Sequence, residues 1–285
     1  MLKGIRILVT GSRGFIGTHL VKRLKLDGAT VLSADKRDGV DLTISGSLDK
    51  FKKIDCVVHL AGTIRPASKC GTESIYENNI RSTLTVLEFC REAGAKLLFF
   101  STYLYGKAKY LPVDEKHPVS PANAYGKSKL LLEMLCRLYN EDFGVRVIIL
   151  RPFNVYGVGQ GEEFVIPSIF SQIKSGQQIV LRGRNEKRDF VYIDDLVDAS
   201  VRAILFKKKY FEIFNVGSGE SLRISEAAKL IIEAAGCGKC KIKFVQSGKC
   251  ISIPDTLCDN KKARYLLKWK PQIFFKDGIR KMINE

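Results

Sequence analysis

Tyr125 and Lys129 stand four residues apart in Tyr-Gly-Lys-Ser-Lys, at the start of a long segment with helical spacing. Four residues is a little over one helical turn, so the two side chains share a face. A tyrosine with an ordinary pKa of about 10 is a poor base at neutral pH. A nearby ammonium stabilises the phenolate and lowers that value. Such a pair could take a proton from an alcohol or sugar hydroxyl. The same spacing also fits an exposed tyrosine and lysine at a helix start. Ser101 strengthens the chemical reading because it follows the apolar run Lys96 to Phe100. Open α/β sheets bind ligands at the carboxyl ends of their strands. There the Ser101 hydroxyl, with Thr102 beside it, could meet the reacting oxygen next to Tyr125.

A second constellation lies at the amino end. Thr10-Gly-Ser-Arg-Gly-Phe-Ile-Gly17 follows one apolar strand and opens one helix. Glycines 11, 14 and 17 allow a tight turn, a close backbone approach to a pyrophosphate and close helix packing. Free N–H groups at the helix start, around Phe15 and Ile16, suit phosphate. The segment predicts a bound NAD or NADP. Asp35, 18 residues after Gly17, ends the second strand where a carboxylate can accept from ribose hydroxyls. It favours NAD by repelling a 2′-phosphate, whereas Arg13, Lys36 and Arg37 could reach that phosphate, so NADP stays open. Asp41 and Leu42 follow at a distance suited to the adenine edge. Leu60, Ala61 and Gly62 end the third long strand, where small residues let a cofactor lie against the backbone. His59 beside them reads as a satisfied strand-end residue. With three histidines in the chain, a histidine metal cluster is not expected.

The elements that must position these groups alternate. Strands are predicted at 5–10, 30–34, 55–60, 96–100 and 145–150, with helices at 15–26, 79–93 and 124–143. Leu84, Leu87 and Cys90 share one helical stripe; Leu131, Leu135 and Leu138 line one face of another. Near-continuous apolar strands between helices imply a doubly wound parallel sheet of the α/β Rossmann type. After about residue 151 the elements shorten: strands at 179–181, 190–193, 211–216 and 242–245, helices at 195–206, 225–235 and 261–267. The pattern suggests a dinucleotide-binding domain over 1–155, with segments around 188–218 returning to it. A smaller substrate lobe would occupy 156–285.

Composition bounds the rest. With 285 residues, 45% of them hydrophobic, the chain can form one large or two modest cores. A net charge of +17 suits anionic partners without choosing among them, and Lys207-Lys208-Lys209 reads as a solvated loop. An expected cytoplasmic location follows from the absence of a signal-like or membrane-length stretch. The eight cysteines are then expected to be mostly thiols, with Cys56, Cys90 and Cys136 in the core. Cys237, Cys240, Cys250 and Cys258 crowd one region. The Cys237–Cys240 spacing fits half a zinc site, but the other pair does not repeat it, so metal is not the expectation.

Eight motifs in order carry a resemblance over nearly the whole chain. They are TGSRGFIG at 10–17, HLAG at 59–62, Ser101 ahead of Leu104-Tyr105-Gly106, YGKSK at 125–129, RPFNVYG at 151–157, RDFVYIDD at 188–195, FNVGSG at 214–219 and LLKWKP at 266–271. The chain resembles the extended short-chain dehydrogenase/reductase family, in its UDP-glucose 4-epimerase-like, nucleotide-sugar epimerase and dehydratase branch. The resemblance implies that Ser101, Tyr125 and Lys129 are catalytic, with Lys129 also holding the nicotinamide ribose and Asn79 near the cofactor. It implies that Asn154 contacts the sugar nucleotide and Arg188 its diphosphate, which a guanidinium fork matches well; an Arg188–Asp189 ion pair is the local alternative. A homodimer through the helices at 79–93 and 124–143 is a further implication. Two departures matter. Dehydratases of the family place Asp and Glu after the catalytic Ser or Thr, where this chain has Thr102 and Tyr103, which disfavours dehydration. No second arginine precedes Asp259 in the 253–258 stretch.

The expected function is NAD-dependent 4-epimerisation of a UDP-sugar through a transient 4-keto form. A 4-keto reductase using NADH or NADPH is the first alternative, and a non-catalytic Rossmann-fold RNA-binding protein a remote one. Binding of nucleic acid or membrane is not expected.

Overall fold

The computed structural model describes residues 2–65, 71–176, 178–207, 210–245 and 253–284. Six strands form one parallel sheet in the order β2-β1-β3-β4-β5-β9. They are β1 (Arg6–Thr10), β2 (Thr30–Ala34), β3 (Cys56–His59), β4 (Lys96–Phe100), β5 (Val147–Pro152) and β9 (Phe211–Val216). All residues of β3, β4 and β5 are buried, as a sheet covered on both faces requires. Helices α1 (Phe15–Leu26) and α5 (Ile193–Leu205) cover one face, and α2 (Glu73–Ala93) and α3 (Ala124–Phe143) the other. The chain runs out from β1 to β2 on one side and to β3 on the other. The fingerprint loop therefore opens at the switch point of the sheet, where such folds take ligands.

The second lobe carries a three-stranded sheet in the order β10-β8-β6, from β6 (Asn154–Tyr156), β8 (Lys187–Tyr192) and β10 (Ser221–Arg223). Strands β7 (Ile179–Arg182) and β11 (Ile242–Val245) form a separate parallel pair. Helices α4 (Val165–Lys174), α6 (Ile224–Ala234) and α7 (Phe275–Asn284) complete the lobe. Within 188–218, α5 and β9 return to the large sheet, whereas β8 stays in the small one. One apolar cluster runs from Leu20 and Ile148 under the large sheet to Ile169, Ala227 and Trp269, so the two parts share a core. Residues 261–267 wind partly as a π-helix over Ala263–Leu267.

Local chemistry explains the main helix ends. Asn123 caps α3 by accepting from the Gly126 N–H at 2.8 Å, and Gly144 closes the helix in a left-handed turn. Lys96 reaches across from β4 and donates to the carbonyls of Ala203, Ile204 and Phe206 at 2.6–3.0 Å, closing the end of α5.

Three expectations change. The face of α3 that enters the core carries Lys129, Leu132, Cys136 and Tyr139, while Leu131 and Leu138 are 46% and 51% exposed. Periodicity pointed to the Leu131–Leu135–Leu138 face, but packing against α2 and the sheet covers the neighbouring face instead. Helix α2 begins at Glu73, six residues before the predicted start. Cys237 and Cys240 form a disulfide: a turn after α6, with the Cys240 N–H donating to the Cys237 carbonyl, brings their Cα atoms to 5.5 Å. Paired with each other, they cannot offer thiolates to a metal. Cys56, Cys90, Cys136 and Cys258 are buried free thiols; Cys250, Lys208 and Lys209 lie outside the described residues. No group of three or more metal-ligating side chains occurs among the described residues.

Candidate active site

One cavity of about 990 Å³ opens along the carboxyl edge of the large sheet and continues under the second lobe. Of the catalytic, cofactor-binding and substrate-binding residues expected from sequence, all but Arg13 and Lys129 line it. At one end the fingerprint loop makes the floor. Gly11 has φ +64°, and a Cβ there would sit 2.8 Å from the Ala61 nitrogen; a Cβ on Gly17 would sit 2.2 Å from the Gly11 carbonyl oxygen. Neither position admits a side chain, and the space they leave at the start of α1 fits a pyrophosphate against free N–H groups.

Asp35 closes that end. Its carboxylate accepts from the backbone N–H groups of Arg13 (3.1 Å) and Arg37 (3.0 Å) and from the Arg37 Nε (3.1 Å). Burial works against its charge, and these donors outweigh burial, so its pKa lies below the ordinary value. The three cations that could have met a 2′-phosphate all face carboxylates: Arg13 pairs with Asp38, Lys36 with Asp41 and Arg37 with Asp35. Asp41 is held down at about 2 by hydrogen bonds from Lys36 and Thr43.

His59 is fully buried between the hydroxyls of Thr10 (2.7 Å to Nδ1) and Thr83 (3.1 Å to Nε2). Burial, and secondarily the Lys129 charge, push its pKa down to about 3, so it is a neutral structural residue. Asn79 lines the cavity with its amide fully engaged: Oδ1 accepts from the Thr63 N–H (2.7 Å), and Nδ2 donates to the Thr63 carbonyl and the Ser128 hydroxyl. It pins the 62–63 turn against α3.

Strand β4 ends at Phe100 and delivers Ser101 into the cavity, buried, with its Oγ lacking a hydrogen-bond partner among the described residues. A buried hydroxyl without a partner is costly, so this atom fits a ligand oxygen. Lys129 lies on the inner face of α3, donates to the Phe100 carbonyl at 2.8 Å and stands 5.8 Å from the centre of the Tyr125 ring. Burial lowers its pKa to about 8. Tyr125, in the first turn of α3, is pushed up to about 12 by burial. The expected lowering by Lys129 does not appear: burial is the cause that acts on Tyr125, and the Lys129 ammonium donates to the Phe100 carbonyl.

At the other end, Asn154 donates to the Asp189 carbonyl and the Thr256 hydroxyl, both at 3.1 Å. Arg188 donates through one nitrogen to the carbonyls of Lys187 and Ile253 and forms no ion pair with Asp189. Neighbours on a strand point to opposite faces. Arg188 therefore faces the cavity while Asp189 turns inward, accepting from the N–H groups of Ser218, Gly219 and Cys258 and from the Ser218 hydroxyl. Burial raises Asp189 to about 6 against those four donors.

Sequence reasoning missed Thr256, which holds Asn154 and the Asp189 N–H together. It also missed the role of Arg151 in the RPFNVYG motif. Arg151 lies buried, bidentate to Glu133 on α3 (2.9 and 2.5 Å) and donating to the Tyr105 hydroxyl, so it ties β5 to the helix of Tyr125 and Lys129. A glutamate on a helix and an arginine on the strand that follows it give no signal of that contact.

A doubly wound sheet with a glycine cradle and a serine, tyrosine and lysine gathered at its carboxyl edge defines a dinucleotide-dependent enzyme of the extended short-chain dehydrogenase/reductase class. The model of the NAD dependent epimerase/dehydratase family matches residues 7–217, and the chain belongs to that family. It is 34% identical to a Methanocaldococcus jannaschii protein named "Putative UDP-glucose 4-epimerase", over 98% of this chain and 97% of that one. Among solved structures it is similar to UDP-N-acetylglucosamine 4-epimerase from Methanobrevibacter ruminantium in complex with UDP-N-acetylmuramic acid. That TM-score is 0.91 at 25% identity, over 99% of this chain and 98% of that one. It is also similar to Thermus thermophilus UDP-glucose 4-epimerase in complex with NAD, with TM-score 0.86, 26% identity and 98% of each chain covered.

Proposed function

We propose that the chain is an NAD-dependent 4-epimerase of a UDP-sugar. The observation that carries this reading is the single cavity that joins the glycine cradle, the unpartnered Ser101 hydroxyl with Tyr125, and the cavity-facing Arg188. The names of the similar proteins point the same way and favour it over the reductase and RNA-binding alternatives.

In this reading residues 1–155, with α5 and β9, hold the dinucleotide and residues 156–285 mainly the sugar nucleotide. Gly11, Gly14 and Gly17, with the N–H groups around Phe15 and Ile16, receive the pyrophosphate. Asp35 accepts from the adenosine ribose, with Asp41 and Leu42 toward the adenine. Leu60, Ala61 and Gly62 form the wall, with Asn79 holding that wall in place. A bound oxidised NAD supplies a hydride acceptor and a positive ring charge. Lys129 remains an ammonium at neutral pH, below its pKa of about 8, and anchors the ribose side. Tyr125 takes the proton of the sugar's C4 hydroxyl once the cationic surroundings bring its pKa down, and returns it after the 4-keto form has turned over. Ser101 hydrogen-bonds the same oxygen, with Thr102 beside it. Arg188 and Asn154 hold the diphosphate and the sugar.

The test is incubation of the protein with UDP-glucose or UDP-N-acetylglucosamine and catalytic NAD, without reduced cofactor, followed by NMR of the sugar. Appearance of the 4-epimer is the expected result. Consumption of a 4-keto sugar only when NADH or NADPH is added would establish the reductase instead.

The assembly proposed is a homodimer through α2 and α3. Leu131, Met134 and Leu138 form an exposed apolar stripe on α3. Sedimentation should give twice the chain mass, and Leu138→Glu should give the monomer. No helix among the described residues is long and apolar enough to cross a membrane. A cytoplasmic location belongs to this reading, although the Cys237–Cys240 disulfide does not favour it; cell fractionation checks it.

A further inference from the structure

The adenosine end of the cavity is electrically balanced. Three cations, Arg13, Lys36 and Arg37, face three carboxylates, Asp38, Asp41 and Asp35. Asp35 builds the arrangement as the cap of a short 3₁₀ turn over Lys36–Asp38: its Oδ1 accepts the Arg37 N–H, and its Oδ2 accepts the Arg13 N–H. That turn sets Asp38 opposite the fingerprint loop. The Arg13 guanidinium then engages it as a fork, with Nε on Oδ2 at 3.0 Å and Nη2 on Oδ1. Asp35, Lys36, Arg37 and Asp41 line the cavity; Arg13 and Asp38 do not line it, but the Arg13 N–H donates to Asp35, which does.

A ribose with a free 2′-hydroxyl adds no charge to this set. A 2′-phosphate adds a dianion, and the guanidinium best shaped to receive it already holds a carboxylate in the same bidentate geometry. We propose that Asp38 is a positioning residue for cofactor specificity: by occupying Arg13 it closes a latent 2′-phosphate site, so that Asp35 and Asp38 together set the preference for NAD over NADP. Both partners are substantially exposed, at 55% for Arg13 and 27% for Asp38, so the pair is exchangeable and its removal does not disturb the core. The proposal rests on dinucleotide binding in this cavity, and not on which sugar is turned over.

The test measures NAD+ and NADP+ dissociation constants by calorimetry for the unaltered chain, Asp38→Ala, Arg13→Ala and the double variant. Asp38→Ala should tighten NADP+ by about tenfold and change NAD+ by less than about threefold, since only a phosphate uses the freed guanidinium. The gain should vanish in the double variant, which ties it to Arg13. It should also shrink as salt is raised, as for an exposed charge pair. Unchanged NADP+ affinity in Asp38→Ala, or a gain that persists without Arg13, overturns the proposal and leaves NAD binding intact. Failure of the unaltered chain to bind either dinucleotide overturns the cofactor reading with it.

Discussion

The end of the cavity at Gly11 and the end at Arg188 are held by different means. Around Gly11 the walls are backbone: the loops after β1, β2 and β3, with Cβ-free positions set by contacts under 3 Å. Around Arg188 the walls are side chains on short strands and loops, Asn154 on β6, Arg188 on β8 and Thr256 in the 253–258 stretch, cross-linked by hydrogen bonds of about 3 Å. Ser101, Tyr125 and Lys129 stand between them, just past the fully buried β4 and in the first turns of α3. A backbone wall recognises what does not vary, a dinucleotide, and tolerates almost no substitution. A side-chain wall can be re-cut for different ligands while the frame stays, which is how one fold serves many substrates.

The sharpest way to break this division is at its centre. Tyr125→Phe should lower turnover by about 10³-fold, the scale of a lost general acid–base, with NAD still retained on the purified protein. Single-turnover assays with absorbance of bound cofactor would check it, and full activity would remove Tyr125 from the chemistry. Arg188→Ala acts at the side-chain end. A lost charge-assisted contact to diphosphate should raise KM by about 10- to 100-fold with NAD affinity unchanged. Equal loss of NAD binding would show that the two ends are one mechanical unit. The third prediction probes the frame. His59 titrates near 3 when folded and near 6.5 when unfolded. Between those values the unfolded chain binds a proton the folded chain refuses. Stability should therefore fall as pH drops through that window, by up to about 1.4 kcal/mol per pH unit. Urea melts of the protein and of His59→Gln at pH 7, 5 and 4 would show a shallower acid slope in the variant if His59 is the cause.

The backbone end was the legible one. Helices at 15–26 and 124–143 and strands at 30–34, 96–100 and 211–216 have the predicted bounds, because long periodic segments carry their own signal. The short elements β6, α4, β10 and α7 were not anticipated. Each is ten residues or fewer and takes its shape from what it packs against. Trp269 illustrates the same limit. Its ring is buried with Nε1 donating to the Asp195 carbonyl, while the Asp195 carboxylate accepts from the Gln272 and Ile273 N–H groups. Two motifs 74 residues apart form one knot, and neither one announces the other.

The amino-acid sequence alone determined the parallel sheet, the glycine cradle after its first strand, and the presence of a serine, a tyrosine and a lysine at spacings that could do chemistry. Those properties are local: they depend on period, on Cβ-free positions and on side-chain type. The tertiary structure decided which α3 stripe is buried and that Arg188 faces the cavity while its neighbour Asp189 turns inward. It also decided that Tyr125 keeps a high pKa beside Lys129, and that Arg13 is held by Asp38. Each of these depends on which groups from distant parts of the chain come within a few ångströms, and on how much water they exclude.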